Sequence, residues 1–222
     1  MTSARTTPIR FSDRVEAGEF LAAALTPYAQ DPNVLVLGLL RGGGPVAAEA
    51  ARILGVELDA LAVRRLEVPE RGTVSYAALA AYGDNISLQY VKRIWAPTRE
   101  KFSAEILAAV EAKAREELAE LQKRIIGEIA LPVDRRTVIL IDDGADSGAS
   151  MLAAIDAVRA AGAKKVVVAL PVAPTGARAE LAESADEFIS IISPKVFNTV
   201  SAFYSRFDSV SDFEIVALIP HL

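Results

Sequence analysis

The sequence predicts an α/β domain in which helices cover both faces of a parallel sheet. Val34-Leu35-Val36-Leu37, Val138-Ile139-Leu140-Ile141 and Val166 to Leu170 are continuous apolar runs, as expected of strands buried on both faces. Between such runs lie Ala-rich or amphipathic stretches of helical length. Strand and helix alternate, which implies right-handed crossovers and a three-layer α/β/α arrangement.

Asp13 is placed to cap a first helix with Val15, Phe20, Leu21 and Leu25 on its apolar face, ended by Pro27. Asp31-Pro32-Asn33 leads into the Val34 strand. After Gly42-Gly43-Gly44, the Ala-rich stretch Pro45 to Leu54 carries proline in its first turn and reads as a helix. Leu58 to Val63 is the next strand. From Arg64 to Pro97 the pattern is least regular: Thr73 to Tyr82 reads as a strand and the rest as a long mobile loop, about 64–97. Phe102, Ile106, Val110, Leu118 and Leu121 recur near helical spacing, predicting one long helix over about 99–126. The Val138 strand runs into a polar loop and a helix, Met151 to Ala161. Ala177 to Ala182 reads as helix, Glu187 to Ile192 as strand, and Phe213 to Ile219 closes the chain. With no internal repeat or low-complexity linker, residues 1–222 are expected to form a single domain.

Composition removes whole classes of chemistry. Hydrophobic residues make up 52% of the chain, enough for a sizeable core. A formal net charge of −5 argues against a nucleic-acid surface, which needs basic stripes. The absence of cysteine excludes disulfides, thiolate zinc sites and thiol nucleophiles. The single histidine, His221, is next to last, a poor place for a catalytic triad or a metal site. Met1 to Arg10 is polar, and no stretch approaches the roughly 18 apolar residues of a membrane span, so a cytoplasmic protein without a membrane partner is expected.

Two loops carry the chemistry. Val138 to Ile141 ends in Asp142-Asp143, followed by Gly144-Ala145-Asp146-Ser147-Gly148-Ala149-Ser150 and then a helix. Ligands of open α/β sheets sit at the carboxyl ends of strands. A small-residue loop at a helix start offers N–H donors and a positive dipole end to a phosphate. The acid pair Asp142 and Asp143 can hold ribose hydroxyls or a hydrated magnesium ion. No lysine follows the glycine, so this is not a nucleotide P-loop. The second loop, Leu39-Leu40-Arg41-Gly42-Gly43-Gly44-Pro45, also follows a strand; its glycines allow close backbone approach and Arg41 can grip a phosphate in bidentate fashion. Gly42 to Ala47 also fits the dinucleotide pattern G-x-G-x-x-A, with Arg64 and Arg65 near the next strand's end, which keeps an NADP-dependent reductase open.

The Asp142 to Ser150 segment resembles the phosphoribosyl pyrophosphate (PRPP) motif of type I phosphoribosyltransferases, with Ser147 and Ser150 where threonine is commoner. Leu39 to Pro45 resembles that family's pyrophosphate loop. Phe11-x-Asp13-Arg14-x-x-Ala17-Gly18 and Phe203-Tyr204-x-x-Phe207 before Ser211-Asp212 resemble a bacterial subgroup of it. The resemblance implies a mostly parallel sheet with one antiparallel edge strand at Thr73 to Tyr82, both loops around one PRPP at the switch point, and a C-terminal hood at about 193–212. It also implies a cis or strained Leu40–Arg41 peptide.

PRPP binding then falls to Asp142, Asp143, Ala145, Asp146, Ser147, Gly148, Ala149 and Ser150. Pyrophosphate binding falls to Arg41, Gly42 and Gly43, with a role for one of Arg64 and Arg65, which are otherwise solvated. Mg²⁺ is the expected cofactor, on Asp142 and Asp143. Asp146 stands where 6-oxopurine enzymes carry a proposed general base, or is a helix cap. Phe197 resembles the base-stacking aromatic of the hood, or is a core phenylalanine. Lys195 reads as surface, and Glu67, Glu70 and Arg71 as loop charges. Ala173 falls where those enzymes carry a lysine for the base's exocyclic oxygen. The reaction implied is transfer of phosphoribose to a nitrogen heterocycle; a PRPP- or nucleotide-sensing regulator on the same fold is the alternative. A homodimer is one assembly open to it.

Overall fold

The computed structural model describes residues 10–69, 74–126 and 130–219. Glu70, Arg71, Thr73 and His221 lie outside the described residues. The elements in chain order are α1 (Arg14–Ala24), β1 (Val34–Leu39), α2 (Gly43–Leu54), β2 (Glu57–Glu67), β3 (Ser75–Tyr82), β4 (Asn85–Tyr90), α3 (Lys92–Lys101) and α4 (Ala104–Leu121). There follow β5 (Thr137–Ile141), α5 (Ala149–Ala160), β6 (Lys165–Val172), α6 (Thr175–Ser184), β7 (Glu187–Ile192) and α7 (Asp212–Leu218). Seven strands form one sheet in the order β4-β3-β2-β1-β5-β6-β7. β2, β1, β5, β6 and β7 run parallel, while β3 and β4 add antiparallel strands at one edge.

Alternate residues of β1 serve different layers, as the two-residue period of a strand demands. Leu35, Leu37 and Leu39 join Leu140, Val168 and the buried side of α5 on one face. Val34 and Val36 join α1, α2, Ile139 and Val167 on the other. On that second face, Ala60 and Ala62 of β2 and Leu79 of β3 meet Leu118 and Leu121 of α4 and Ile215 of α7. Every residue of β1 is buried, which is why its sequence is apolar throughout.

The region 64–97 is more regular than its sequence pattern predicts. β2 continues to Glu67, β3 and β4 form a hairpin with Tyr82 paired to Asn85, and Gly83 takes φ 55° in the turn. The expected single antiparallel edge strand is therefore a pair. Ile86, Leu88 and Tyr90 alternate with Asn85, Ser87 and Gln89, a period of two that marks β4 in retrospect. The expected long helix of 99–126 is also corrected. α3 begins at Lys92, Phe102 is extended, and Ser103 caps a new helix by accepting from the Ile106 N–H at 3.5 Å. A π-helical turn, Gln122–Ile126, follows α4. The capping serine won over the apolar spacing that runs through it.

One buried polar cluster ties the return from α4 to the sheet. Asp59 is fully buried on β2, and the Tyr82 hydroxyl lies 2.8 Å from its Oδ2 and 2.7 Å from the Leu131 carbonyl. The Leu131 N–H donates to the same Asp59 oxygen at 3.0 Å. A buried carboxylate is tolerated only when its lone pairs are used, and here β2, β3 and the segment before β5 all contribute. Tyr82→Phe removes the hydroxyl from this buried cluster and is expected to cost about 1–3 kcal/mol, measured as a lower urea midpoint at unchanged slope.

Candidate active site

β1 and β5 are neighbours, with Gly38 opposite Ile141, at the point where the strand order reverses. Their carboxyl ends carry the two loops. The Leu40–Arg41 peptide leaving β1 is cis. At Gly43, in the first turn of α2, a Cβ would stand 2.6 Å from the Ile141 carbonyl oxygen and 2.9 Å from the Asp142 Cα. Only glycine allows α2 to start against the end of β5, because both neighbours are backbone and cannot give way. That approach places Arg41 and Gly42 in one cleft of ≈ 500 Å³ with Arg64, Arg65, Asp142, Asp143, Asp146 and Ser150.

The acid pair is held from both ends of the chain. Arg14, the first residue of α1, reaches Asp143 Oδ2 with Nε at 3.0 Å and Nη2 at 2.9 Å, and both side chains are nearly buried. Its guanidinium lies 3.9 Å over the Phe207 ring and also donates to the Asp208 carbonyl at 2.7 Å. Tyr204 donates its hydroxyl to the Asp143 carbonyl at 2.6 Å. Phe11 bridges this arrangement: its N–H donates to Phe203, its carbonyl accepts from Ser205, and its ring lies 5.5 Å from that of Tyr204. Burial pushes the carboxyls of Asp142 and Asp143 up, and the charge of Asp143 pushes Asp142 further. Arg14 pulls Asp143 back down against that burial.

The donor set suits a magnesium ion that brings most of its own shell. Among the described residues no group of three or more acidic or histidine side chains forms a metal cage. Mg²⁺ commonly uses one or two carboxylates and completes its octahedron with water and substrate phosphates. Asp143 is engaged by Arg14, whereas Asp142 Oδ1 accepts the neighbouring Asp143 N–H at 2.8 Å and meets no cation within ion-pair distance among the described residues, so Asp142 is the one that could hold such an ion.

Gly144 to Ser150 borders a second cavity of ≈ 270 Å³, which Arg65, Arg93 and Ile94 close from the other side. Gly148 is the N-cap of α5, at φ 80°, and makes no side-chain capping bond. The first turn of α5 therefore keeps N–H groups for an anion, helped only by a 3.5 Å contact of Ala149 N–H to Ser147 Oγ. The helix-cap reading of Asp146 is set aside by this geometry. Asp146 is exposed, lines both cavities, and makes no hydrogen bond or ion pair among the described residues.

The remaining expected residues divide. Arg64 and Arg65 both line the larger cleft, and Arg64 lies 3.6 Å from Glu117 of α4. Arg41 is ion-paired to Asp212 at the start of α7. Phe197 stacks on Phe203 at 5.9 Å and packs on the core, while its successors Asn198 to Ser201 line the cleft. Lys195 and Glu67 are exposed. Sequence reasoning missed the roles of Arg14, Arg93 and Asp212. Arg14 and Asp212 sat inside the terminal motifs, and those motifs meet at the two loops.

A mostly parallel sheet with an Arg-Gly-Gly loop and an acid-pair loop meeting in one cleft at its switch point defines the class of α/β protein. Residues 13–206 match the family model described as phosphoribosyl transferase domain, and the chain belongs to that family. Two Mycobacterium tuberculosis proteins, provisionally named phosphoribosyl transferases, are 37% identical over 213 residues, which is 94% of this chain. The chain spans about half the length of these curated relatives, 46%. The crystal structure of TT1426 from Thermus thermophilus is 36% identical, with a TM-score of 0.72 over 95% of this chain and 97% of that one. The dinucleotide reading of Gly42 to Ala47 gains nothing from these likenesses. Among the described residues no helix is long and apolar enough to cross a membrane.

Arg14 supplies the countercharge that pulls the Asp143 carboxyl down against the burial that raises it. In Arg14→Leu the folded carboxyl titrates higher still, while the unfolded one keeps its ordinary value. The folded state then binds more protons than the unfolded, so stability falls as pH rises from about 4 through the folded value. Urea unfolding is expected to show a loss of about 3–5 kcal/mol at pH 8 and a smaller one at pH 5.

Proposed function

We propose that the protein transfers the 5-phosphoribosyl group of PRPP to a nitrogen heterocycle and releases pyrophosphate. The carrying observation is that the two cavities share Arg65, Asp142, Asp146 and Ser150. A ligand with a phosphate at one end and a diphosphate at the other, joined by a sugar, fits that pair. Its 5′-phosphate takes the open first turn of α5. Its hydroxyls meet the acid pair. Its diphosphate meets Arg41, Gly42, Arg64 and Arg65.

In the reaction the bond from C1 to the pyrophosphate oxygen breaks and a bond from the base nitrogen to C1 forms. Negative charge grows on the leaving group, where Arg41 and Arg64 stabilise it, and positive charge grows on the sugar beside the carboxylates. Mg²⁺, when bound, neutralises the diphosphate further; Asp142 is the side chain that would hold it. Asp146 is free to take the proton that the base nitrogen loses. Arg93 and Ile94 wall the smaller cavity, so part of the region expected as a loop keeps water from the sugar as a helix.

The acceptor is a base other than hypoxanthine or guanine. Ala173 is fully buried, its N–H is spent on the Ile192 carbonyl at 3.0 Å, and it offers no side-chain donor to an exocyclic oxygen. A site that lacks such a donor cannot select for the group that needs it.

PRPP with Mg²⁺ is expected to raise the melting temperature, because a ligand at a hundred times its Kd adds about 2.7 kcal/mol. Pyrophosphate release against adenine, uracil, orotate, xanthine, hypoxanthine and guanine then separates an enzyme from a sensor that only binds. A melt unmoved by millimolar PRPP–Mg²⁺ ends the reading. Turnover of hypoxanthine or guanine near the median of roughly 10 per second ends the acceptor assignment alone.

Asp146→Asn is expected to slow turnover about 10²–10⁴-fold with little change in PRPP affinity. Unchanged turnover with the best acceptor returns Asp146 to a bystander of the loop.

A further inference from the structure

We infer that Asp212 is an internal competitor for Arg41, occupying the guanidinium that pyrophosphate needs, and that Arg124 keeps this carboxylate when Arg41 turns to the ligand. The inference rests on the pyrophosphate site proposed above. Asp212 uses its two oxygens separately: Arg41 Nε donates to Oδ1, and Arg124 Nε is ion-paired to Oδ2 at 2.6 Å. Arg41 lines the larger cleft, whereas Arg124 comes from the π-helical turn after α4.

Packing, rather than chance, sets Asp212 there. Ser211 and Glu214 form a reciprocal capping box that fixes the start of α7, with Glu214 N–H to Ser211 Oγ at 3.2 Å and Ser211 N–H to Glu214 Oε2 at 2.7 Å. Three residues along the same helix face, Ile215 is fully buried and fills the space over Gly44, where a Cβ would meet its Cδ1 at 2.3 Å. Gly44 opens the notch, Ile215 fills it, and the first turn of α7 is thereby seated with Asp212 against the loop that carries Arg41.

Charge makes the contact exchangeable. Arg41, Arg64 and Arg124 converge on two carboxylates, Asp212 and Glu117, and Glu117 is 3.6 Å from Arg64. The cluster is short of negative charge, and burial together with the nearby Arg41 makes Arg64 easier to deprotonate than usual. A diphosphate supplies denser charge than one carboxylate and can take Arg41 by a two-point grip. When it does, the Asp212 carboxylate retains Arg124 and is not stranded, so the exchange avoids the cost of an unpaired charge.

The test is calorimetric titration of inorganic pyrophosphate with Mg²⁺, at fixed ionic strength, into the wild type, Asp212→Asn, Arg124→Gln and the double variant. Asp212→Asn is expected to bind about 2–5-fold tighter, the range of a partly exposed ion pair. Arg124→Gln leaves Asp212 to Arg41 alone and is expected to bind weaker by a similar factor. In the double variant the Arg124 effect should vanish, which a merely structural role would not produce. Asp212→Ser repeats the first arm with a side chain favoured at helix starts, should the asparagine variant melt early. Affinity unchanged or weakened by both Asp212 substitutions, while the wild type binds, overturns the competitor and leaves the site standing. A loss from Arg124→Gln that persists without Asp212 overturns the retaining role. No binding to wild type or to any variant removes the pyrophosphate site and this inference with it.

Discussion

The ion pair between Arg14 and Asp143 decides how the rest of the molecule is arranged. Two adjacent carboxyls at the end of a buried strand repel each other and lose hydration, and either effect alone favours protonation over charge. The Arg14 guanidinium, with two nitrogens at 2.9–3.0 Å from one Asp143 oxygen, works against burial at that member of the pair, although burial still holds its carboxyl up. To deliver it, α1 must begin beside the end of β5, although 129 residues separate the two side chains. The C-terminal segment then covers the guanidinium with Phe207 and secures the Asp143 carbonyl through Tyr204. The two ends of the domain are thus fastened to the strand end that carries the candidate chemistry, and through Phe11 to each other.

Close backbone approach governs the opposite loop. The seat of α2 against β5 requires Gly43, and the seat of α7 against α2 requires Gly44. One glycine run therefore serves two contacts: it joins the loops into a cleft and it docks the helix that brings Asp212 to Arg41. A side chain at either position would separate elements that must touch, by contact with backbone in the first case and with a packed isoleucine in the second. The proposed approach of a phosphate would be a third use of the same sequence, and it would need no glycine beyond those the packing already demands.

The central strands were legible because their environment is uniform. β1, β5 and β6 are buried on both faces, so continuous apolar runs identify them without reference to partners. The meeting of the two loops was legible because each directly follows a buried strand, and β1 and β5 are neighbours at the switch point. β4 was not, since its alternation is half-polar and its exposure intermediate, the pattern of an edge. The division between α3 and α4 turned on one serine cap inside a periodic stretch, a local signal outweighed by spacing in any reading of a single sequence. Arg14 stands inside a recognisable terminal motif, yet its role depends on a partner near residue 143, and distance in sequence hides that. Phe197 shows the converse: an aromatic near a site by sequence can pack on another ring instead.

Net charge is a poor guide to the cleft. The chain carries −5 overall, but Arg14, Arg41, Arg64 and Arg65 all line the larger cavity beside Asp142, Asp143 and Asp146. What matters is the order of the charges in space. Guanidinium groups stand at the glycine loop, carboxylates in the middle, and open helical N–H groups at the far end with Arg65 and Arg93 opposite. An extended polyanion such as a nucleic-acid strand would meet repulsion at the centre. A ligand anionic at both ends and hydroxylated between them would find a complementary group at each point. On the proposed function, the acids that make the protein negative are, at this one place, what would favour a sugar over a third phosphate as the occupant.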